Sequence, residues 1–331
     1  SQRWLVAKGA AEDIVRLCTH VERTTADGIQ PCDINASNLQ STCDLYHALE
    51  SDGLRVLGVA WREVPRDQKS AAINDESALV LAGFAAFLDP PKESAAPALA
   101  KLQQAGVAIK VVTGDSDLVT RHVCQQLNIE VTGVLTGKEI AQLDDQVLQR
   151  RVETANLFCR VNPGQKQRVI LALKANGHVV GYMGDGINDA PSLHAADVGL
   201  SVDSAVDVAK AAADMILLKQ DLNVLHAGVL EGRRTFGNIM KYIMMGTSSN
   251  FGNMFSMAGA ALFLPFLPML PTQILLNNIL YDISEIPIPL DEVDTEETAK
   301  PRVLDLSFIR NFMLVIGPIS SVFDFLTFYV L

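Results

Sequence analysis

Between residues 91 and 218, short apolar runs alternate with stretches in which apolar positions recur every three or four residues. The runs Ala108 to Val112, Asn156 to Val161, His178 to Met183, Val198 to Val202 and Met215 to Leu218 read as buried strands. Val119, Val123 and Leu127 mark one intervening helix, and further helices open near Lys166 and Ala205. This alternation predicts an α/β region, a parallel sheet with helices on both faces. The stretch from Leu135 to Glu153 reads as charged and helical. The pattern before it differs. A strand at Trp4 to Ala7, a helix from Ala11 to about His20, a helix near Leu39 to Ser51 and a strand at Arg55 to Trp61 predict a small α+β region. Arg62 to Ser77 is polar and reads as a loop.

Beyond Val224 a helix carries Glu231, Arg233, Arg234 and Lys241, and the charges then stop. Tyr242 to Tyr281 holds no charged residue and is interrupted by Pro265, Pro268 and Pro271. It is long enough for two membrane spans of about 20 residues joined by a proline-rich turn. A third apolar run, Asn311 to Leu331, contains Asp324 and reads as a truncated third span. Lys241 precedes the hairpin, and Lys300, Arg302 and Arg310 follow it, which predicts that both of its ends are cytoplasmic. The expected domains are therefore 1–80, 81–222, a stalk helix at 223–241 and a membrane region at 242–331.

Composition narrows the function classes. The net charge of -11 across 331 residues offers no basic stripe for nucleic acid. The five cysteines contain no CxxC pair and read as reduced cytosolic thiols. Ser1 is not a start methionine and Leu331 lies inside an apolar run, so the chain is expected to be a piece of a longer protein.

The chemistry converges on strand ends. Gly184-Asp185-Gly186-Ile187-Asn188-Asp189 follows an apolar run, and its two carboxylates four positions apart suit one hard cation with phosphate oxygens and water completing its shell. Thr113-Gly114-Asp115 ends another strand, where a threonine hydroxyl can donate to a phosphoryl oxygen. Lys166, just past Asn162-Pro163-Gly164, offers a mobile positive charge. Taken singly, Thr113 fits an ordinary turn and Lys166 a solvated helix. In this order, each at a strand-helix junction, they resemble the phosphotransfer core of the haloacid dehalogenase superfamily. The longer strings VVTGD and GDGINDAPSLHAADVGLSV resemble the phosphorylation domain of P-type cation-transporting ATPases.

That resemblance implies a Rossmann-like phosphorylation domain, a partial nucleotide-binding domain and C-terminal transmembrane helices. Lys8-Gly9-Ala10 resembles the family's KGA motif, whose lysine approaches the nucleotide, and Arg55 its phosphate-reaching arginine. An exposed turn and a solvated strand arginine are the plainer readings of these two. Asp89-Pro90-Pro91-Lys92 resembles the family's junction between the nucleotide and phosphorylation domains. The implied cofactors are ATP and Mg2+, with Thr113, Gly114, Asp115, Lys166 and Asn188 around the phosphoryl group and Asp185 and Asp189 around the catalytic magnesium. The DKTGT nucleophile and TGE loop of the family do not occur in the chain, so alone it is not expected to complete a catalytic cycle.

In the apolar region Asn250 and Asn253 share one helix face, and Asn278 and Asp282 are four apart with Glu285 three further on. An intramembrane carboxylate is expensive and reads as functional, although asparagines also serve as polar glue between helices, and Asp282 and Glu285 could sit at the interface. SSNFGN and NNILYD resemble the fifth and sixth membrane helices of P-type pumps, which makes Asn250, Asn278 and Asp282 candidate ligands for a transported divalent cation; Asn253, where the calcium pumps have a glutamate, is a further candidate with one negative charge fewer, which favours an ion that keeps part of its water. LLNNILYDISEIPIPLDEVD resembles in particular the bacterial magnesium-transporting members. The implied setting is multi-pass in the bacterial cytoplasmic membrane, among lipid, with the soluble domains in the cytoplasm. A calcium or other divalent-cation pump, a nucleotide-binding membrane regulator and a soluble phosphatase remain the alternatives, the last disfavoured by the charge-free hairpin.

Overall fold

A computed structural model describes residues 3–330 apart from 26, 27, 67, 69, 267 and 268; Ser1, Pro268 and Leu331 lie outside the described residues. Two compact units emerge, residues 1–99 with 109–222, and residues 100–108 with 223–331.

In the first unit, β1 (Arg3–Ala10) runs directly into α1 (Ala11–Leu17), then β2 (Cys18–Thr25), β3 (Gly28–Asp33), α2 (Ala36–Ser51), β4 (Arg55–Val64) and β5 (Leu79–Phe87). The five strands form one sheet in the order β1-β4-β5-β2-β3. Ile14 and Val15 of α1 are buried with Ala60, Leu79 and Leu81 on its face. Gly58 permits that approach, since a Cβ there would lie 2.8 Å from the Ile14 Cβ. Three expectations change. The first helix stops at Leu17, where the chain turns into β2 and β3, a hairpin that the apolar spacing did not disclose. β3 contains Pro31, which lacks an N–H and is accommodated because β3 is an edge strand. The boundary expected at residue 80 falls inside β5, whose pairing with β4 and β2 carries the sheet on to Phe87.

After α3 (Ala95–Gln104) come β6 (Val111–Val112), α4 (Asp117–Gln126), β7 (Val134–Thr136), α5 (Gly137–Gln142), α6 (Asp145–Thr154), β8 (Leu157–Cys159), α7 (Pro163–Ala175), β9 (Gly181–Met183), α8 (Ala190–Ala195), β10 (Val198–Val202), α9 (Asp207–Ala212) and β11 (Met215–Leu217). The strands form two parallel sheets, β6-β8-β7 and β11-β10-β9. Strand and helix alternate as the periodicity predicts, but the strands are shorter than the apolar runs, and β6 keeps only two residues of the expected five. Val112 of β6 and Val180, just before β9, pack against one core that contains Leu135, Phe158 and Val169.

The second unit is helical: α10 (Leu222–Ala260), α11 (Pro271–Glu285), α12 (Thr295–Ala299) and α13 (Leu306–Val330). The predicted stalk and first apolar segment are one continuous helix of 39 residues, about 58 Å at the usual rise. α11 has 15 residues, about 22 Å, which is shorter than a hydrocarbon core of about 30 Å. α11 is thus shorter than the full span expected of it, and α13, expected as a truncated span, has 25 residues. Among the described residues, α13 is the helix long and apolar enough to cross a membrane. α10 is diluted by Gly246, Thr247, Ser248, Ser249, Asn250, Gly252 and Asn253, and α11 is bounded by Pro271 and Pro287. Small residues let α10 and α13 touch: a Cβ on Gly252 would lie 3.0 Å from the Gly317 oxygen, and Ser321 Oγ donates to the Gly252 carbonyl at 2.9 Å. Ser256 Oγ donates to Asp324 Oδ2 at 2.6 Å across the same seam.

Candidate functional site

β9 ends at Met183, and the turn that follows brings Asp189 back beneath it. The Asp189 side chain is buried, at 9% exposure for the residue. Its Oδ1 accepts from Lys166 Nζ and from the Tyr182 hydroxyl, each at 2.8 Å, and its Oδ2 accepts from the Gly186 N–H at 3.2 Å. Gly184 is required for this fold-back, because a Cβ there would lie 2.5 Å from the Asp189 Cβ. Burial works against the Asp189 charge, yet the Lys166 ammonium, the Tyr182 hydroxyl and the Gly186 N–H together hold its carboxyl below the ordinary value. The Tyr182 hydroxyl is pushed up, first by burial and then by its carboxylate partner. Asp185 and Asn188, by contrast, are exposed.

Lys166 reaches Asp189 because α7 starts where it does. Asn162 caps the helix, accepting from the Gln165 N–H at 2.9 Å, and Gln165 Oε1 accepts from the Asn162 N–H at 2.9 Å. Pro163 supplies the first helical position, where its missing N–H costs nothing. This places Lys166 one turn in, with its side chain 15% exposed.

Thr113 follows β6. Its hydroxyl donates to Asp115 Oδ2 and accepts from the Asp115 N–H, both at 3.1 Å, which fixes a tight polar turn. Arg55, at the start of β4, approaches Asp115 Oδ1 through Nε at 3.4 Å. Gly114, Asp115 and Arg55 line one cavity of about 410 Å3 together with Glu12, Glu50 and Arg160. Lys8 is exposed on β1, in register with Val59. Spacing gave no sign of Glu12, Arg160 or Tyr182. Glu12 pairs with Arg160 and Arg16, and Lys138 lies 3.6 Å from its Oε1. Burial opposes the Glu12 charge, but Arg160 and the other cations leave its pKa below the ordinary value. Arg160 sits at the end of β8 with φ 51, and a basic residue at a strand end was the one signal available for it.

In the second unit, Asn250, Asn278 and Asp282 are exposed and Asn253 is partly buried. Asp282 lines a cavity with Glu285 and Asn238 that the three other candidates do not line. Glu285, read as a possible interfacial residue, is buried at 6% exposure. Among the described residues no group of three or more His, Cys, Asp or Glu is arranged to hold a metal ion.

Residues 1–94 match the family model described as P-type ATPase, cytoplasmic domain N. The chain is 49% identical over 324 residues, 98% of its length, to a protein of Salmonella typhimurium named magnesium-transporting ATPase, P-type 1, and 48% identical over the same span to the Escherichia coli K12 protein of that name. The chain belongs to the P-type ATPases. It spans about 36% of the length of these curated relatives. A protein of Mycobacterium bovis named probable cation-transporting ATPase F is 38% identical over 286 residues, 83% of the chain and 31% of that relative. Within this P-type ATPase the first unit holds Thr113, Lys166, Asp185 and Asp189, and the second holds Asn250, Asn253, Asn278 and Asp282.

Proposed function

We propose that the chain is the C-terminal portion of an ATP-driven magnesium transporter that works through an aspartyl-phosphate intermediate, with the nucleophile elsewhere in the protein. The observation that carries this reading is the part-buried Lys166–Asp189 pair, with Asp185 exposed in the same turn after a parallel strand. Such strand ends are where open α/β sheets bind ligands. The two parallel sheets would belong to one haloacid dehalogenase-like phosphorylation domain, following a nucleotide-binding domain built on the five-stranded sheet.

The exposed Asp185 offers carboxylate oxygens, the donor type that fits magnesium. Asp185 would hold the ion with Asp189 beside it, and the ion would supply charge neutralisation at the phosphoryl group. Lys166 is restrained by Asp189 and Tyr182 holds the same oxygen, so the ammonium is positioned before nucleotide arrives. Thr113 and Gly114 would meet the phosphoryl oxygens, with Asp115 fixing the threonine and Asn188 beside the turn. Arg55 and Lys8 would face the nucleotide. Asn250, Asn253, Asn278 and Asp282 would carry the transported cation in a multi-pass protein of the bacterial cytoplasmic membrane. The alternative is a pump for calcium or another divalent cation, which competition between metals separates.

The test is formation of an acid-stable, hydroxylamine-sensitive phosphoenzyme from radiolabelled ATP by the full-length protein. Asp185→Asn and Lys166→Ala are each expected to lower its rate of formation by about a hundredfold or more. Native rates in both variants would remove the assignment.

A further inference from the structure

The donors on the Asp189 carboxylate are unevenly divided. Oδ1 accepts two, from Lys166 Nζ and the Tyr182 hydroxyl, each at 2.8 Å, while Oδ2 accepts the Gly186 N–H at 3.2 Å. The two donors on Oδ1 differ in freedom. Tyr182 stands on β9, and its side chain packs against the apolar cluster of Leu193, Ala205 and Ala209, so the ring is fixed without help from the hydroxyl. The Ser192 hydroxyl on α8, fully buried and without a partner elsewhere, acts on the phenol as a donor. Burial and the adjacent carboxylate push the phenol up, so it keeps its proton and remains a donor. Lys166, by contrast, carries its ammonium on a four-carbon stem with rotatable donors. Of the two partners of Oδ1, the ammonium is the one able to leave.

We propose that Tyr182 is a positioning residue that holds Asp189 Oδ1 while Lys166 turns from that oxygen to an incoming phosphoryl oxygen. Asp189 is buried, and departure of the ammonium without the phenol in place would leave Oδ1 with no donor, a strongly unfavourable state for a buried charge. With the phenol, each carboxylate oxygen keeps one hydrogen bond, from Tyr182 and from Gly186. The exchange moves no proton and makes no covalent bond. Tyr182 acts through Asp189 and Lys166 rather than on the reacting atoms. The proposal deepens the phosphoryl-transfer reading of Lys166 and rests on it, but the sharing of Oδ1 is testable without nucleotide.

Tyr182→Phe removes the hydroxyl and keeps the ring. In urea denaturation of the 331-residue chain in detergent, followed by the emission of Trp4 and Trp61 in the first unit, Y182F should raise the unfolding constant by less than about tenfold, because Lys166 still serves Oδ1. On Lys166→Ala, where the ammonium is gone for good, the same change should raise it by about a hundredfold or more. A double variant that fails to fold while both single variants fold is the stronger form of that result. Equal effects in the two backgrounds would mean that the hydroxyl does not stand in for Lys166, and would overturn the proposal. In the full-length protein, Y182F should lower the maximal rate of phosphoenzyme formation by about tenfold, with half-saturating ATP within about twofold of native. A native maximal rate, or a loss confined to ATP affinity, would also overturn it. Lys166→Ala at the native rate is a different failure, which removes the phosphoryl reading of Lys166 and the proposal with it.

Discussion

Asp189 has both oxygens committed to three donors while Asp185, four residues earlier, is exposed. The same motif therefore contains one structural and one available carboxylate. Replacing Asp189 with Ala leaves a largely buried ammonium and a phenol without their partner, and should cost about 3–5 kcal/mol in chemical denaturation of the chain. The acid response has a definite sign. Because the native Asp189 carboxyl titrates below the ordinary 3.8, its stabilisation is complete above that value and is lost as the pH falls through the depressed native value. The stability difference between the native chain and Asp189→Asn should thus be flat from neutral pH to about 5 and shrink only below the ordinary aspartate range. A difference that shrinks already near neutrality would contradict the pairing. Thr113, Lys166, Asp185 and Asp189 were legible because each stands at a strand end in a local motif. Tyr182, Glu12 and Arg160 were not, because the contacts that place them, Tyr182 with Asp189 and Glu12 with Arg160, join residues seven and 148 positions apart and no spacing encodes them.

At the scale of elements, the cap on α7 decides where Lys166 stands. Asn162→Ala should cost about 1 kcal/mol of stability, and in the phosphoenzyme assay it should slow formation without abolishing it. An unchanged rate would show that Lys166 does not depend on the cap. Helices were readable from periodicity and strands less so. β6 shrinks to two residues because pairing with β8, rather than hydrophobicity, sets its length. The β2–β3 hairpin escaped notice because its apolar positions are sparse and Pro31 argues against a strand unless the strand is an edge. The seam of α10 and α13 makes its own prediction. Gly252→Leu forces a side chain against the Gly317 backbone, and should weaken helix packing by about 1–3 kcal/mol, read as a lower unfolding temperature in detergent. An unaltered temperature would mean the helices do not pack through Gly252.

For the whole molecule, the family was legible in the motifs of the first unit and the membrane topology was less so. Counting uncharged residues predicted two spans before the third, yet hydropathy diluted by Gly, Ser and Asn leaves α13 as the helix long and apolar enough to cross a membrane among the described residues. Dilution of this kind suits helices that carry polar ligands, which is what the transport account requires of α10 and α11. Glu285 was noticed in sequence only as a possible interfacial residue, since burial against Gly246 is a property of packing.

Uptake of isotopic magnesium by cells expressing the whole gene, with calcium as competitor, tests the central claim most directly. The native protein should accumulate magnesium in preference to calcium, and Asp282→Asn, expressed at the same level in the membrane, should reduce uptake by about tenfold or more. Native uptake by the Asp282→Asn protein would contradict the assignment of the membrane ligands, and absence of magnesium uptake by the native protein would contradict the account of a magnesium transporter.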